Sequence, residues 1–166
     1  MRILGIDPGL AIMGYGIIDT DERQNMQLVC FGAFTTEADM PFPERLASLR
    51  KQLKNVLSEY KPDEIVFEQL FFNRNVTTAF TVCAERGVAV CTCAEKYPDS
   101  LYEYTPMQIK QAVTGYGRAD KHQVQQMVKL ILKLQDIPKP DDAADAVAAA
   151  MAHAATGRAK IQFKMK

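Results

Sequence analysis

The chain has 166 residues, of which 48% are hydrophobic and 24% charged, and its 20 basic and 20 acidic side chains cancel. This length and composition predict one globular domain with its own core. No apolar run reaches the roughly 18 residues of a membrane span, and no basic leader precedes an apolar stretch, so we expect a cytoplasmic protein without a signal peptide. The four cysteines form no C-x-x-C pair and no histidine lies near them, which argues against zinc and predicts reduced thiols packed as small hydrophobic side chains.

Charge is unevenly distributed along this neutral chain. Residues 1–100 hold 10 basic and 14 acidic side chains, a balance of −4, whereas residues 101–166 hold 10 and 6, a balance of +4. A neutral total by itself argues against a nucleic-acid-binding protein. The basic C-terminal part is nevertheless compatible with an anion-binding face on one side of the molecule.

The first part of the chain predicts strands joined by short turns. Apolar segments at 3–6, 13–18 and 27–34 predict three strands, and their short connections favour an antiparallel meander. The first strand ends at Asp7, and Pro8-Gly9 then favours a tight turn. Asp7 is therefore either a turn-capping residue or a metal ligand, because aspartate is rarely buried unless it is paired or binds a metal.

The rest of the chain alternates helices and strands. Periodicity predicts helix 46–60, strand 65–68, helix 76–94 and strand 101–104. Three more helices follow, with Thr105, Asp120 and Asp141 as their predicted caps and Pro106 in the first turn of the first of them. The apolar side of helix 76–94, which includes Phe80, Cys83, Gly87 and Cys91, is explained most simply by burial against the sheet. The order predicts an α/β fold, a mixed five-stranded sheet with helices on both faces, in one domain of residues 1–156. A short basic tail, 157–166, is expected to fray.

Acidic residues recur at places where elements end or begin. Asp7 and Glu68 end two strands, and the last helix begins with Asp141, Asp142 and, after two alanines, Asp145. Asp142 and Asp145 share a helix face, and so do Asp141 and Asp145. With either choice we expect acids from two strands and one helix to converge at one sheet edge, although each also has a structural explanation as a cap or a surface residue.

Converging carboxylates predict a particular chemistry. They repel one another unless cations lie between them, and all-oxygen ligand sets suit Mg²⁺ or Mn²⁺. A pair of such ions activates water and stabilises the leaving oxygen in phosphodiester cleavage. From spacing alone, the acids fit either a metal-dependent hydrolytic site or a structural cluster. The hydrolytic site requires that the four side chains meet at one place.

Four motifs occur in order along the chain and extend from residue 3 to about 153. They are G-I-D-P-G at 5–9 with G-Y-G at 14–16, F-E-Q-L-F at 67–71, V-T-G-Y-G at 113–117 with A-D-K at 119–121 and Q-V-Q at 123–125, and D-A-A-D-A at 142–146 followed by A-H at 152–153. Together these motifs resemble those of a known family, the RuvC Holliday-junction resolvases.

This resemblance implies an RNase H-like fold, a homodimer with part of helix 76–94 in its interface, and Mg²⁺-dependent paired nicking of four-way DNA junctions that leaves 5′-phosphate and 3′-hydroxyl ends. It assigns catalysis and the binding of two Mg²⁺, for which Mn²⁺ can substitute, to Asp7, Glu68, Asp142 and Asp145. Aspartate at 142, where some members carry histidine, keeps the site all-carboxylate. A branch-migration helicase complex of the RuvA and RuvB type is the implied protein partner.

The resemblance also implies residues that bind DNA. Phe71 lies where the family stacks an aromatic ring on bases near the crossover, with Phe72 and Arg74 beside it. Lys110 and Lys121 match lysines that the family uses near the scissile phosphate. The alternatives are an apolar core role for the two phenylalanines and a solvated surface for the three basic side chains.

Two other functions fit part of the pattern. Gly-Ile-Asp-x-Gly also resembles the phosphate loop of sugar kinases and actin-like ATPases, but those enzymes need a second large domain, for which 166 residues leave no room. Stabilisation by ATP would favour that class. A non-catalytic junction-binding module is the other alternative, and junction binding that is indifferent to divalent ions, without cleavage, would favour it. The four acids argue against such a module because acids without metal repel DNA.

Overall fold

A five-stranded sheet forms the centre of the computed structural model, which describes residues 1–8, 12–37, 39–70 and 76–166. The strands lie in the order β3-β2-β1-β4-β5. They are β1 Arg2–Pro8, β2 Ile12–Thr20, β3 Met26–Thr35, β4 Glu64–Glu68 and β5 Leu101–Tyr104. Strands β1, β2 and β3 pair antiparallel, whereas β4 pairs parallel with both β1 and β5. The predicted mixed sheet with an antiparallel meander is confirmed.

Helices cover both faces of this sheet. In the described part of the chain they are α1 Phe42–Tyr60, α2 Val76–Ala94, α3 Pro106–Thr114, α4 Lys121–Ile131 and α5 Asp141–Thr156. Because side chains alternate along a strand, Ile3 and Val66 face α3, α4 and α5, whereas Leu4 and Ile65 face α1 and α2. None of the helices in the described ranges is both long and apolar enough to cross a membrane.

Small residues bring α5 close to the sheet. Its inner side is built largely from buried alanines, including Ala146. A methyl group added at Gly5 of β1 would lie 2.0 Å from the backbone oxygen of Ala146, and one added at Gly14 of β2 would lie 2.0 Å from that of Asp142. Glycine in a strand interior often marks such a close approach of another backbone. The alanines and glycines together therefore set how near α5 can come to β1 and β2.

Two of the predicted helix caps are confirmed and one is wrong. Thr105 and Gln108 form a reciprocal capping box at α3, and Asp120 and Gln123 form one at α4. In contrast, Asp141 is the first residue of α5 and makes no capping hydrogen bond. Its carboxylate instead accepts a 2.8 Å hydrogen bond from the ammonium of Lys139, immediately before the helix.

A buried histidine joins α5 to the sheet at the far end of the helix. His153 is 1% exposed. Its Nε2 lies 2.8 Å from a carboxylate oxygen of Glu64, and its Nδ1 lies 2.9 Å from the hydroxyl of Tyr104. Burial lowers the pKa of His153 despite the pull of Glu64. The neutral ring therefore donates from Nε2 to Glu64 and accepts at Nδ1 from Tyr104.

The expectation of a frayed tail is wrong. Residues Gly157–Phe163 form a 3₁₀ helix. The ring of Phe163 stacks on Tyr104 with centroids 4.4 Å apart, and the backbone N–H of Met165 donates to the oxygen of Leu101 at 2.9 Å. Lys160 also forms an ion pair with Glu64. These contacts pack the basic tail against β5 and the histidine network.

Of the two interpretations of the side of helix 76–94 with Cys83 and Cys91, burial against the sheet is wrong. Phe80 is 74% exposed, and Cys83, Gly87 and Cys91 are exposed too. The buried side of α2 is a different one, which includes Val82, Ala89 and Cys93. Packing as a small hydrophobic side chain therefore holds for Cys93 but not for the two exposed thiols.

Candidate active site

Two of the predicted acids are neighbours on adjacent parallel strands. The register pairs Ile6 of β1 with Phe67 of β4, so the following residues, Asp7 and Glu68, lie side by side at the same edge of the sheet. Both project towards α5, because side chains two residues apart on a strand share a face and Gly5 already faces that helix. The strand does not stop at Asp7 as expected, since Pro8 still pairs with Met13. The turn residue Gly9 lies outside the described residues.

The other two predicted acids come from the first turns of α5. Asp142 lies directly over Gly14, and Asp145 follows one turn later on the same side. Asp145 is largely covered, with a side chain 24% exposed, whereas Asp141 is 47% exposed and is held by Lys139. The close approach of α5 to β1 and β2 thus places Asp142 and Asp145, rather than Asp141, beside the strand acids.

The four carboxylates share one electrostatic environment. Burial, followed by the charges of Glu68, Asp145 and Asp142, raises the pKa of Asp7 from 3.8 to about 8. Burial, followed by the charge of Asp145, raises the pKa of Glu68 from 4.5 to about 7. Shifts with this cause identify converging acids that need positive charge in order to ionise together at neutral pH.

Two lysines supply part of that positive charge. The ammonium of Lys121 lies 2.8 Å from a carboxylate oxygen of Asp145 and 3.8 Å from one of Asp141. Lys110 lowers the pKa of Glu68 and so opposes the effect of burial there. The capping boxes of α3 and α4 position these lysines, because Lys121 is the first residue of α4 and Lys110 lies in α3.

A cavity of about 220 Å³ opens at this cluster. Its polar lining residues are Glu68, Lys110, Lys121 and Asp145, and its apolar walls are Pro106, Ile109, Val124 and Ala148. Within the described residues, no group of three or more His, Cys, Asp or Glu side chains is already arranged to coordinate a metal ion. Lys121 already neutralises Asp145 in this space. The all-carboxylate donor set and the raised pKa values nevertheless fit hard divalent cations.

A larger cavity lies on another side of α3 but has different chemistry. It measures about 800 Å³ and is lined by residues such as Met107, Gln111, Tyr116, Arg118 and Phe163, with no acidic side chain. It therefore lacks the carboxylates on which hydrolysis at a metal centre depends. The smaller cavity, which has carboxylates in its lining, is therefore the candidate active site.

The structure thus brings together six of the predicted site residues, which are Asp7, Glu68, Lys110, Lys121, Asp142 and Asp145. Phe71, Phe72 and Arg74 lie outside the described residues. Sequence reasoning missed the role of Gly5 and Gly14, which set the distance between α5 and the strands. Glycines inside predicted strands were the available signal, since they often mark close backbone approach.

The fold and this edge cluster of acids define an RNase H-like protein. The chain belongs to the RuvC family, because the family model described as crossover junction endodeoxyribonuclease RuvC matches residues 3–153. It is 52% identical over 166 residues to the RuvC of Finegoldia magna, with 100% of both chains covered. It is also 53% identical over 154 residues to that of Brevibacillus brevis, covering 93% of this chain and 92% of the relative.

Solved structures agree with this assignment. The structure described as Thermus thermophilus RuvC in complex with Holliday junction substrate superposes with a TM-score of 0.90 at 31% identity and covers 99% of both chains. A second Thermus thermophilus RuvC structure gives a TM-score of 0.87 at 31% identity, covering 99% of this chain and 98% of that one. Family membership speaks against the ATP-handling alternative.

Proposed function

We propose that this protein is a crossover junction endodeoxyribonuclease that resolves four-way DNA junctions by paired symmetrical nicks in recombination and repair. The observation that carries the proposal is the convergence of Asp7, Glu68, Asp142 and Asp145 at one sheet edge in a RuvC-family chain. The Thermus thermophilus relative was solved with a Holliday junction substrate, which supports a four-way junction as the substrate of this chain.

The four acids would hold two divalent ions, Mg²⁺ by preference with Mn²⁺ as a substitute. When bound, such ions supply Lewis-acid chemistry that polarises the scissile phosphate and activates water. The raised pKa values of Asp7 and Glu68 support this assignment, since burial and the neighbouring acids leave these carboxylates short of positive charge. Asp142 completes an all-oxygen set, which suits these ions better than zinc.

The lysines and carboxylates of the chain have separate tasks. Lys121 and Lys110 lie beside the acids and would offset the charge of the scissile phosphate as it enters the 220 Å³ cavity. The apolar walls limit water there and strengthen these interactions. Hydrolysis that breaks the bond between phosphorus and the 3′ oxygen leaves 5′-phosphate and 3′-hydroxyl ends.

Contacts outside the acid cluster would open the junction. Phe71 follows the strand that ends in Glu68, and we assign it to stacking on bases at the crossover. Phe72 and Arg74 are proposed to support the same contact, with Arg74 pairing with phosphate. These three residues are candidates by resemblance to the family.

A homodimer would match the symmetry of the substrate. A four-way junction offers two equivalent strands, and a two-fold dimer presents two equivalent sites to them. The uncovered side of α2, with Phe80, Cys83, Gly87 and Cys91, is the surface that we assign to this contact. The proposed further partners are RuvA- and RuvB-type branch-migration components in the cytoplasm.

The proposal is tested with a synthetic mobile four-way junction, each strand labelled in turn, with and without Mg²⁺. We expect Mg²⁺-dependent nicks at symmetrical positions, and an Asp7→Asn variant that binds the junction but cleaves at least about a hundredfold more slowly. Asp141→Asn is the matched control, because Asp141 is exposed and paired with Lys139, and it should cleave normally. Unchanged cleavage by Asp7→Asn, or an unfolded variant, would remove the assignment of Asp7. Unpaired nicks on any DNA would indicate a general nuclease, and binding without cleavage would indicate a junction-binding module.

A further inference from the structure

The uncovered side of α2 has a composition unlike that of an ordinary solvated helix. Phe80, Cys83, Gly87 and Cys91 are its exposed residues among the described side chains of the helix. The two charged residues of α2 do not contribute a free charge to it. Glu85 is 2% exposed, and Arg86 forms a 2.8 Å ion pair with Glu103. Exposed apolar and small residues along one side of a helix are typical of an interaction surface.

The two exposed cysteines are placed symmetrically about a glycine. Cys83 lies four residues before Gly87 and Cys91 lies four residues after it. Residues four apart form one continuous ridge on a helix surface. A methyl group added at Gly87 would find nothing within 4 Å, so the middle of this ridge is open. An open depression of about 540 Å³ borders the ridge and is lined by both cysteines and Gly87.

This symmetry favours a second copy of the same chain as the occupant. In an interface with a two-fold axis, residues near the axis meet their own counterparts. An exposed, unpaired charge there would meet a like charge. The charged residues that line the depression, Arg86 and Glu103, are instead paired with each other at 2.8 Å. The glycine at the centre lets the two helix backbones approach closely at the axis. The ridge therefore has the features that self-association needs.

The register of the contact follows from the spacing. If the two-fold axis passes Gly87 and the helices run antiparallel, position 83 of one protomer faces position 91 of its partner. Helices that pack through their four-residue ridges cross at about −50° with axes about 8–10 Å apart, and the smaller distances occur where small residues lie at the contact. Four residues correspond to about 6 Å along each helix, so both cysteine pairs stay near the crossing point. Disulfides need Cα atoms about 4.4–6.8 Å apart, a separation compatible with this arrangement.

We propose that α2 packs against its counterpart at Gly87 so that Cys83 of each protomer faces the partner's Cys91, which gives the dimer two thiol pairs that can be oxidised to intersubunit disulfides. This inference rests on the homodimer of the proposed function and specifies its register. Each disulfide forms with loss of two protons and two electrons from one Cys83 and one Cys91. A two-electron thiol oxidant of the diazenedicarboxamide class, such as diamide, takes up both and becomes the hydrazine. The oxidised dimer would no longer dissociate on dilution.

The test uses the full chain with Cys30→Ser as background, since Cys30 is half-buried on a different element. Under reducing conditions, light scattering after size-exclusion chromatography gives the mass in solution. After diamide treatment, a non-reducing gel should show a species of twice 18.6 kDa that a thiol reductant converts back to monomer. Cys83→Ser and Cys91→Ser variants, each alone, should lose this covalent dimer completely.

Mixing the two single variants makes the experiment specific for the register. A heterodimer of Cys83→Ser and Cys91→Ser retains one complete pair, so the covalent dimer should return after the proteins are mixed, exchanged and oxidised. A covalent dimer from either variant alone would show that like cysteines meet, which overturns the proposed register. A non-covalent dimer that does not cross-link would overturn it as well, as would a monomer.

Junction cleavage on the same reduced samples separates this inference from the proposed function. A dimer that cleaves junctions symmetrically but fails to cross-link refutes the cysteine register and leaves the proposed function intact. A chain that cross-links as expected but does not cleave any junction supports the register and refutes the function. The exposed positions of both cysteines make the serine variants well suited to this comparison, because neither substitution opens a cavity in the core.

Discussion

Replacing Gly14 with alanine should slow junction cleavage while leaving the protein folded. The added methyl group would lie 2.0 Å from the backbone oxygen of Asp142 and 2.8 Å from the backbone nitrogen of Ala143. Real Cβ atoms are essentially never found closer than 3.0 Å to such an atom, so helix and strand must separate by about 1 Å at this point. No rotation of a side chain can relieve the clash, because both neighbours are backbone. The first turn of α5 must therefore move away from β2.

The displacement has two measurable consequences. A misplacement of about 1 Å in a catalytic group costs about a hundredfold in rate, so we expect a loss of that size in the single-turnover cleavage of a four-way junction. Overpacking of this kind costs about 1–3 kcal/mol of stability, which urea unfolding measures. The concentration of Mg²⁺ needed for half-maximal rate should rise as well, since Asp142 and Asp145 move together with the helix.

Gly32→Ala is the matched control. Its added methyl group would meet the end of the Tyr15 side chain at 2.7 Å. That ring packs with the core on the opposite face of the sheet from α5 and can shift. We expect a loss of stability without a specific loss of cleavage. If Gly14→Ala is folded by circular dichroism and cleaves as fast as the wild type, then the close approach of α5 does not control the geometry of the acid cluster.

Three further predictions concern charge and buried polar groups. The pKa of Asp7 is about 8 in the folded chain, whereas its ordinary value is 3.8, so the unfolded chain releases this proton at lower pH than the folded chain does. The metal-free protein should therefore lose stability as pH rises between those two values, by at most about 6 kcal/mol. Urea unfolding measures this pH dependence, and Asp7→Asn should reduce it. Lys121→Gln should slow cleavage at least about tenfold, because it removes a positive charge from the site. Lys139→Gln is the control and should cleave normally, because the partner of Lys139 lies outside the acid cluster. Equal rates in the two variants would contradict this role of Lys121. His153→Ala should lower the free energy of unfolding by about 2–4 kcal/mol, because it leaves the carboxylate of Glu64 and the hydroxyl of Tyr104 without their partner. The control is His122→Ala, which replaces an exposed histidine and should change the free energy of unfolding by less than about 0.5 kcal/mol.

The parts of the fold that depend on local interactions could be predicted from the sequence. Thr105 and Asp120 begin α3 and α4 where the capping signals indicated, because a capping box is formed within a few residues of chain. The bounds predicted for helix 76–94 agree with α2, since its apolar and small residues are uninterrupted by proline. The side-by-side position of Asp7 and Glu68 also follows from a local rule, namely that both end adjacent parallel strands.

The parts that depend on distant contacts could not be predicted in this way. Periodicity indicates an apolar side of α2 that includes Cys83 and Cys91. The helix has a second apolar side, with Val82 and Cys93, and this second side is the buried one. The basic tail has no strong local signal, and it becomes ordered through Phe163 and Lys160, whose partners lie some 60 and 96 residues away in the chain. The separation between α5 and β2 likewise depends on a glycine far from the helix in sequence.

The position of the acid cluster shows that packing rather than charge assembles it. Burial is the largest cause of the raised pKa values of Asp7 and Glu68, and the neighbouring acids raise these values further. Lys121 and the N-terminus of α5 offset only part of this repulsion. What keeps the acids together is the contact of α5 with the sheet, where its buried alanines meet the strand glycines. Binding of the proposed divalent ions would remove this repulsion and would therefore stabilise the folded chain. The same packing that is expected to make the metal-free protein less stable as pH rises towards 8 is therefore the feature that we expect to favour cation binding at the cluster.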